Sequence, residues 1–296
     1  MMEIVAFLIV VAVLTVALPF VGMLLRKRRV VDKRRLYVKN CSVVIPVLNE
    51  EKNIGQCIEW IKSLEPGPYE IIVVDGGSED ATEEVARKHG VSRVLKGERG
   101  RAKQMNLGSR ACGAGCEAIM FVHSDSRPAK DSIRYVEEVL SCPSNVLGGF
   151  LTKIRHRGRV LRVPTWHQQI AFWLYPALFK PFAFAKGLGC MFGDQNLFCR
   201  RKDFERVGGY NTSLCIMEDV DLCLRMHRHG LGARRPGRIV RVTKSMNITS
   251  GRRIAAWGPI RATYIHFRIG LSWFLGAKQE ALYRLYHRLY TDRYRE

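Results

Sequence analysis

Acidic residues are scarce in this chain. Its 27 Asp and Glu stand against 48 Lys and Arg, a net charge of +21 over 296 residues. That imbalance points to an anionic partner: nucleic acid, a phospholipid surface or a phosphorylated substrate. No zinc-finger spacing and no aromatic RNA-binding strand is present, so nucleic acid is not expected. The nine cysteines contain no Cys-x-x-Cys pair, so no zinc site is expected either. Their odd number and scatter fit free, mostly buried thiols in a reducing compartment. Cys112 and Cys116 are spaced to share a helical face, but two thiols alone make a poor metal site. A GxGxxG fingerprint is also missing, which removes the dinucleotide-binding reading. Internal repeats and low-complexity runs are absent. What is present is an ordinary 47% of hydrophobic residues, enough for a sizeable core.

One stretch is apolar almost throughout. Ile4 to Leu25 is broken only by Thr15, Pro19 and Gly22. At about 1.5 Å per helical residue it is long enough to cross a bilayer. Arg26, Lys27, Arg28 and Arg29 follow, then Lys33, Arg34 and Arg35. Cations after the run predict a single-pass anchor with its N-terminus out and the remainder cytosolic. A cleaved signal peptide would place its cations first. The sequons at Asn211 and Asn247 are expected to stay unmodified on that side.

Beyond the basic linker, Ser42 to Ile45 reads as a buried strand stopped by Pro46. A helix with Ile54, Cys57, Ile58 and Ile61 on one face follows. Glu70 to Val74 is a second strand, and Asp80 with Glu83 reads as the start of a helix that Gly90 ends. Val91 to Leu95 and Ala118 to Val122 are further short strands, separated by a basic loop and a helix. Alternating strands and helices predict an α/β fold with a doubly wound, mainly parallel sheet. Val163 to Phe184 is rich in aromatics and reads as core helix, as an apolar acceptor surface or as a membrane-facing patch. Leu282 to Tyr290 is a basic amphipathic helix, suited to lie on a membrane or to pack on the domain.

Carboxylates recur at the ends of elements. Asp75 closes a strand and is followed by Gly76 and Gly77, whose small size lets backbone and ligand approach closely. Asp125 lies just past another strand, in His123-Ser124-Asp125. Asp194 and Gln195 follow Gly193, and Glu218, Asp219 and Asp221 cluster at a helix start. A strand-end carboxylate can hold Mg2+ or Mn2+ on a diphosphate. A second carboxylate in the same cleft can act as general base on a hydroxyl. Taken alone, the 218–221 cluster also reads as a solvated helix start favoured by the helix dipole. Arg252 and Arg253 read either as a clamp over a diphosphate or as surface charge.

Together these motifs resemble family 2 glycosyltransferases of the GT-A fold, from about Ser42 to about Gly230. Val44 to Glu51 looks like the family's opening strand and turn. Val73 to Asp80 resembles its nucleotide-binding strand end. Gly193-Asp194-Gln195, Gly208-Gly209-Tyr210 and Glu218 to Leu222 resemble its acceptor-side motifs. Gly100 to Asn106, the His-x-Asp-Ser run and Met217-Glu218-Asp219 are similar to an arsenosugar-biosynthesis-type subgroup.

Four segments are expected: an anchor over 1–25, a basic linker over 26–40, a GT-A domain over 41–250 and a basic helical extension over 251–296. It implies a nucleotide-diphospho-sugar donor, with Asp75 on the base or ribose and Pro46 and Glu50 lining the same pocket. Arg101 would touch the diphosphate or base. Asp125, with His123 as a neutral imidazole, would hold a divalent cation, while His123 also reads as a structural histidine. Asp219 would be the base, and Glu218, Asp194 and Gln195 would serve a lipid or small-molecule acceptor. Two departures stand out. The family's Asp-x-Asp is His-x-Asp here, which puts the metal in question, and the Gln-x-x-Arg-Trp motif of processive members is missing. Two rival readings are a sugar-phosphate nucleotidyltransferase and a non-catalytic anion-binding scaffold on the membrane. The first lacks its Gly-rich loop after the opening strand, and the second has no use for three converging acids.

Overall fold

Apolar residues in the first strands alternate between the two faces of a sheet, and both faces are covered. The computed structural model describes residues 35–229 and 236–290. The apolar run over 4–25 and the basic linker as far as residue 34 lie outside them. Among the described residues no helix is long and apolar enough to cross a membrane.

Strand β1 (Cys41–Val47) sends Val43 and Ile45 to one core and Val44 to the other. α1 (Glu51–Lys62) covers the first through Ile54, Ile58 and Ile61. β2 (Glu70–Asp75), α2 (Thr82–Lys88), β3 (Arg93–Lys96), α3 (Arg101–Arg110) and β4 (Ala118–Phe121) complete the first half. α3 covers the second core with Ala102 and Met105. Burial on both faces is what a parallel sheet between helices requires.

β5 (Ser126–Arg127), α4 (Ser132–Leu140), β6 (Asn145–His156) and β7 (Arg159–Val160) follow. Next come α5 (Arg162–Phe179), α6 (Pro181–Ala185), a 3-10 turn over Gly193–Gln195, β8 (Phe198–Arg200) and α7 (Arg201–Arg206). α8 (Glu218–His229), β9 (Arg238–Ser250), α9 (Arg252–Trp257), α10 (Pro259–Phe274) and α11 (Gln279–Tyr290) end the described chain. The sheet order is β3-β2-β1-β4-β8-β6-β9-β5, with β7 beside β6.

By length of pairing the sheet is mainly parallel, as expected, with short antiparallel pairings added. β3, β2, β1 and β4 are parallel, and so are β6 and β9. β8 runs antiparallel to both β4 and β6, and β5 antiparallel to β9. The sheet is therefore mixed. β8 is a three-residue strand entered from the tight turn at Gly193.

Pro46 does not stop β1 but sits inside it, opposite Val74. The Val44 carbonyl accepts from the Val122 amide and the Val47 carbonyl from the Gly76 amide. Even positions therefore face β4 and odd ones face β2. The missing N–H of Pro46 faces the β4 side beyond the last paired residue, Phe121, where no ladder bond is lost.

The tail helix packs on the domain. Leu282 is buried beside Ile216, Ile265 and Ile269, and Leu285 and Tyr286 rest on the same cluster. Eight of the nine cysteines are buried and only Cys215 is exposed; all are free. Cys112 and Cys116 lie beyond the end of α3, not on one of its faces. They meet Glu70 at the edge of the sheet where the parallel strands begin. There the Glu70 carboxylate already accepts from the Ser42 hydroxyl at 2.7 Å and the Gly113 amide at 2.8 Å.

Candidate active site

Strand order reverses direction at β1, between β2 on one side and β4 on the other. Ligands of open α/β sheets bind at the carboxyl ends of strands beside such a switch. Asp75 ends β2 there. Its Oδ1 accepts from the Ser78 amide at 2.9 Å and the Ser78 hydroxyl at 2.6 Å, an Asx turn that opens the loop toward α2. Asn49, in the left-handed region at φ 53°, accepts the Glu79 amide, and its own amide reaches the Ser78 hydroxyl. The Glu50 amide donates to Thr82 at 2.8 Å. The loops after β1 and β2 are thus one knitted unit.

Gln104 anchors this unit from behind. Its buried amide donates to the carbonyls of Val47 at 2.7 Å and Val74 at 2.8 Å, joining the ends of both strands. A Cβ on Gly76 would lie 3.0 Å from that amide, so the first glycine after Asp75 leaves room for Gln104.

The second cluster forms around Gly193. Its amide donates to Asp219 Oδ2 at 2.8 Å. A Cβ at this position would fall 2.5 Å from His123 Nε2 and 3.0 Å from Asp219 Oδ2, so only glycine fits between them. Asp219 Oδ1 is buried and unpartnered. Burial first, and the neighbouring Glu218 charge second, push the Asp219 carboxyl up to about 7. Burial and the charges of Arg101 and Arg253 push His123 down to about 3, so its imidazole is neutral.

Arg101, the first residue of α3, reaches Glu218 at 2.5 Å across 117 positions of sequence. Glu218 is 3% exposed and its second oxygen is buried without a partner, whereas Arg101 is half exposed. The Glu218 charge holds the guanidinium more firmly protonated than usual.

A third group of acids faces these. Asp194 accepts from Gln168, and burial with the Asp125 charge pushes it up to about 6. Burial and the Glu50 charge raise Asp125 as well, partly offset by Arg253 and Arg252. Arg252 reaches the Glu50 carboxylate at 3.4 Å, so the start of α9 closes onto the loop after β1. Gln195 is fully buried and accepts from the Phe192 amide, turned away from the acids it follows in sequence.

The fold thus brings Arg101 to Glu218, places Asp219 and His123 on either side of Gly193, and sets Arg252 against Glu50 near Asp125. Gly193 as a backbone donor, Gln104 and Gln168 are not singled out by the sequence reading. The only cue to Gly193 is its place before an acid in a short motif. Around Asp125 no three potential ligand atoms converge among the described residues. The acids there suit a hard cation held by one or two carboxylates plus phosphate oxygens, not an all-protein cage.

The loops that end two parallel strands are thus knitted together beside a group of buried acids. The sequence profile of Glycosyl transferase family 2 matches residues 42–208, more than half of the chain, and the chain belongs to that family. Succinoglycan biosynthesis protein ExoA of Rhizobium meliloti is 28% identical over 199 residues, 64% of this chain and 58% of that one. Glucosyl-3-phosphoglycerate synthase of Mycobacterium tuberculosis is similar in structure at a TM-score of 0.54 and 21% identity. That match covers 81% of this chain and 80% of the other. Mannosyltransferase PcManGT of Pyrobaculum calidifontis, solved with GDP-Man and Mn2+, gives a TM-score of 0.59 at 17% identity, covering 89% and 73%. These two likenesses establish the GT-A-type fold. The chain spans 12% to 58% of the length of the curated relatives it matches.

Proposed function

We propose that this glycosyltransferase moves one sugar, with inversion, from a nucleotide-diphospho-sugar to a hydroxyl of a lipid or small-molecule acceptor. The observation that carries the reading is Asp219. It is a buried carboxylate fixed through one oxygen by the Gly193 amide, with the other oxygen free and an affinity for protons near neutrality. Those are the properties of a general base.

In the proposed reaction the acceptor oxygen attacks the anomeric carbon as its proton passes to Asp219 Oδ1. The bond from that carbon to the diphosphate breaks on the opposite face, and the nucleoside diphosphate leaves. Asp75 and the loops after β1 and β2, with Pro46 and Glu50, form the nucleotide side. Arg252 and Arg253 lie where they can offset the departing charge. Arg101 holds Glu218 and so sets the field around the base. Gln168 orients Asp194 on the acceptor side. A divalent cation, held by Asp125, would neutralise diphosphate oxygens, and the neutral His123 is competent to assist as a ligand.

The solved relatives carry different donors, UDP-glucose in one and GDP-Man in the other, each with Mn2+. They support a nucleotide sugar and a cation without selecting the base. The arsenosugar-type likeness rests on residues 100–106, 123–126 and 217–219 and adds no substrate. The anchor over 4–25, with the catalytic domain on the cytosolic side, belongs to the same proposal and is supported by the cations over 26–35.

Nucleotide sugars incubated with the purified chain, with and without Mn2+, are expected to yield nucleoside diphosphate. Asp219→Asn should lower turnover by about 10²–10⁴-fold while donor binding persists. Full activity in that variant would overturn the base assignment. Pyrophosphate formed instead from a nucleoside triphosphate and a sugar 1-phosphate would favour a nucleotidyltransferase, and no product from any donor a scaffold.

A further inference from the structure

Two long tracts of this chain contain no acidic residue: everything between Glu138 and Asp194, and everything between Asp221 and Glu280. The fold joins them. The first tract supplies β6, β7, α5 and α6, and the second β9, α9 and α10. β6 pairs with β9 from Asn145 to Arg155, and α5 packs on α10. His167 meets Phe267 at one end of the helix pair, and Phe179 stacks on Phe274 at the other. The two helices therefore run side by side in the same direction.

Their inward faces are consumed by this packing. Their outward faces keep Trp166, Leu178 and Phe182 on one tract and Ile260 and Leu275 on the other. Phe182 is 86% exposed and Leu275 70%. Half of the large apolar side chains left exposed among the described residues fall in this layer. Exposed cations stand among them: Arg157, Arg159, Lys180, Arg261, Arg268 and Lys278. No acidic side chain within either tract offsets them.

A surface that is both apolar and uniformly basic is complementary to an anionic phospholipid bilayer. Aromatic and aliphatic groups enter the acyl boundary, and Lys and Arg meet the headgroup phosphates. Nucleic acid would use the charge but not Leu178, Ile260 or Leu275, which offer no ring for base stacking. Continuity along the chain agrees. The described residues begin at Arg35, after the cations and the apolar run over 4–25. The Leu36 amide is bonded to the Ser141 carbonyl, a few residues before β6, on which α5 packs.

We propose that the α5–α6 and α10 layer lies on an anionic bilayer, as a second membrane contact separate from the anchor. The edge of this layer is the acid cleft. A Cβ on Gly251 would fall 2.7 Å from Leu161, the residue before α5, and the next two residues are Arg252 and Arg253 beside Glu50 and Asp125. Docking would hold the rim of the cleft at Arg252 and Glu50 close to the headgroups. The inference extends the membrane part of the proposed function but does not depend on sugar transfer.

The test uses the full chain in vesicles of phosphatidylcholine and phosphatidylglycerol, with benzoylphenylalanine replacing Phe182, Ile260 or, as a control, the exposed Tyr69 beside β2. After irradiation, phospholipid adducts are counted by mass spectrometry. Adducts at 182 and 260 should exceed those at 69 by about tenfold. They should fall severalfold in phosphatidylcholine alone or in the Arg157→Glu/Arg159→Glu variant. Equal adducts at all three positions, none at 182 and 260, or a crosslink from 182 to another protein chain would overturn the proposal. Flotation of the same samples reports the anchor separately. Chains that float without adducts at 182 and 260 retain the anchor and refute the layer, and chains that neither float nor form adducts refute both.

Discussion

Asp219 combines two demands that pull against each other. A base useful near neutrality must bind protons tightly, and burial supplies that by making the charged form costly. The same cost weighs on the fold. With its pKa near 7 in the folded chain and near 4 when unfolded, Asp219 binds more proton in the folded state between those values. Its contribution is favourable below about pH 4 and is lost as pH rises through about 7. Asp219→Asn keeps an acceptor for the Gly193 amide and removes the ionised form. It should raise thermal stability at pH 8, by on the order of 1 kcal/mol, and much less at pH 5. Melting curves at the two pH values check this. Glu218→Gln removes the like charge beside the base. It should move the acid limb of the rate profile down by about one pH unit, because Asp219 then ionises more easily. Rates measured from pH 5 to 9 give the answer, and an unmoved limb would separate Asp219 from that limb.

At the scale of elements, α3 links the two halves of the site. Arg101 at its start engages Glu218, and Gln104 one turn later ties β1 to β2. Gln104→Leu would remove the tie between two buried carbonyls, of which that of Val47 keeps the Gly76 amide, at a cost of about 1–3 kcal/mol. The loss should show as a lower urea midpoint and weaker donor binding, with less effect on turnover of bound donor. The sequence discloses the first half of the sheet well, since β1, β2 and β4 are short apolar runs bounded by turn residues and α1 carries a clear apolar face. It discloses the second half poorly. β9 pairs with β6 across two register shifts, so its buried positions follow no strict alternation. β5, β7 and β8 have two or three residues each, too few to show a period. The acids at element ends are legible as chemistry. Their partners are not, because Arg101 and Glu218 are far apart along the chain and Gly193 contributes only a backbone amide and an absence of side chain.

For the whole molecule, the last strand of the sheet to be made is also among its most embedded. β9 lies between β6 and β5 and carries α9 with Arg252 behind it. The order of synthesis therefore becomes part of the biology. By the time Val122 has left the ribosome, β1 to β4 are all available to pair, and the notch for a nucleotide can form. The groups that close over it arrive more than a hundred residues later. For that interval a nascent chain has a half-built sheet with β6 lacking its neighbour, an open edge that invites pairing with another chain. A chain released before Arg238 would keep Asp75 and Asp219 yet lack Arg252 and Arg253. Translational accuracy over the final fifth of the chain thus guards against aggregation as much as against lost activity.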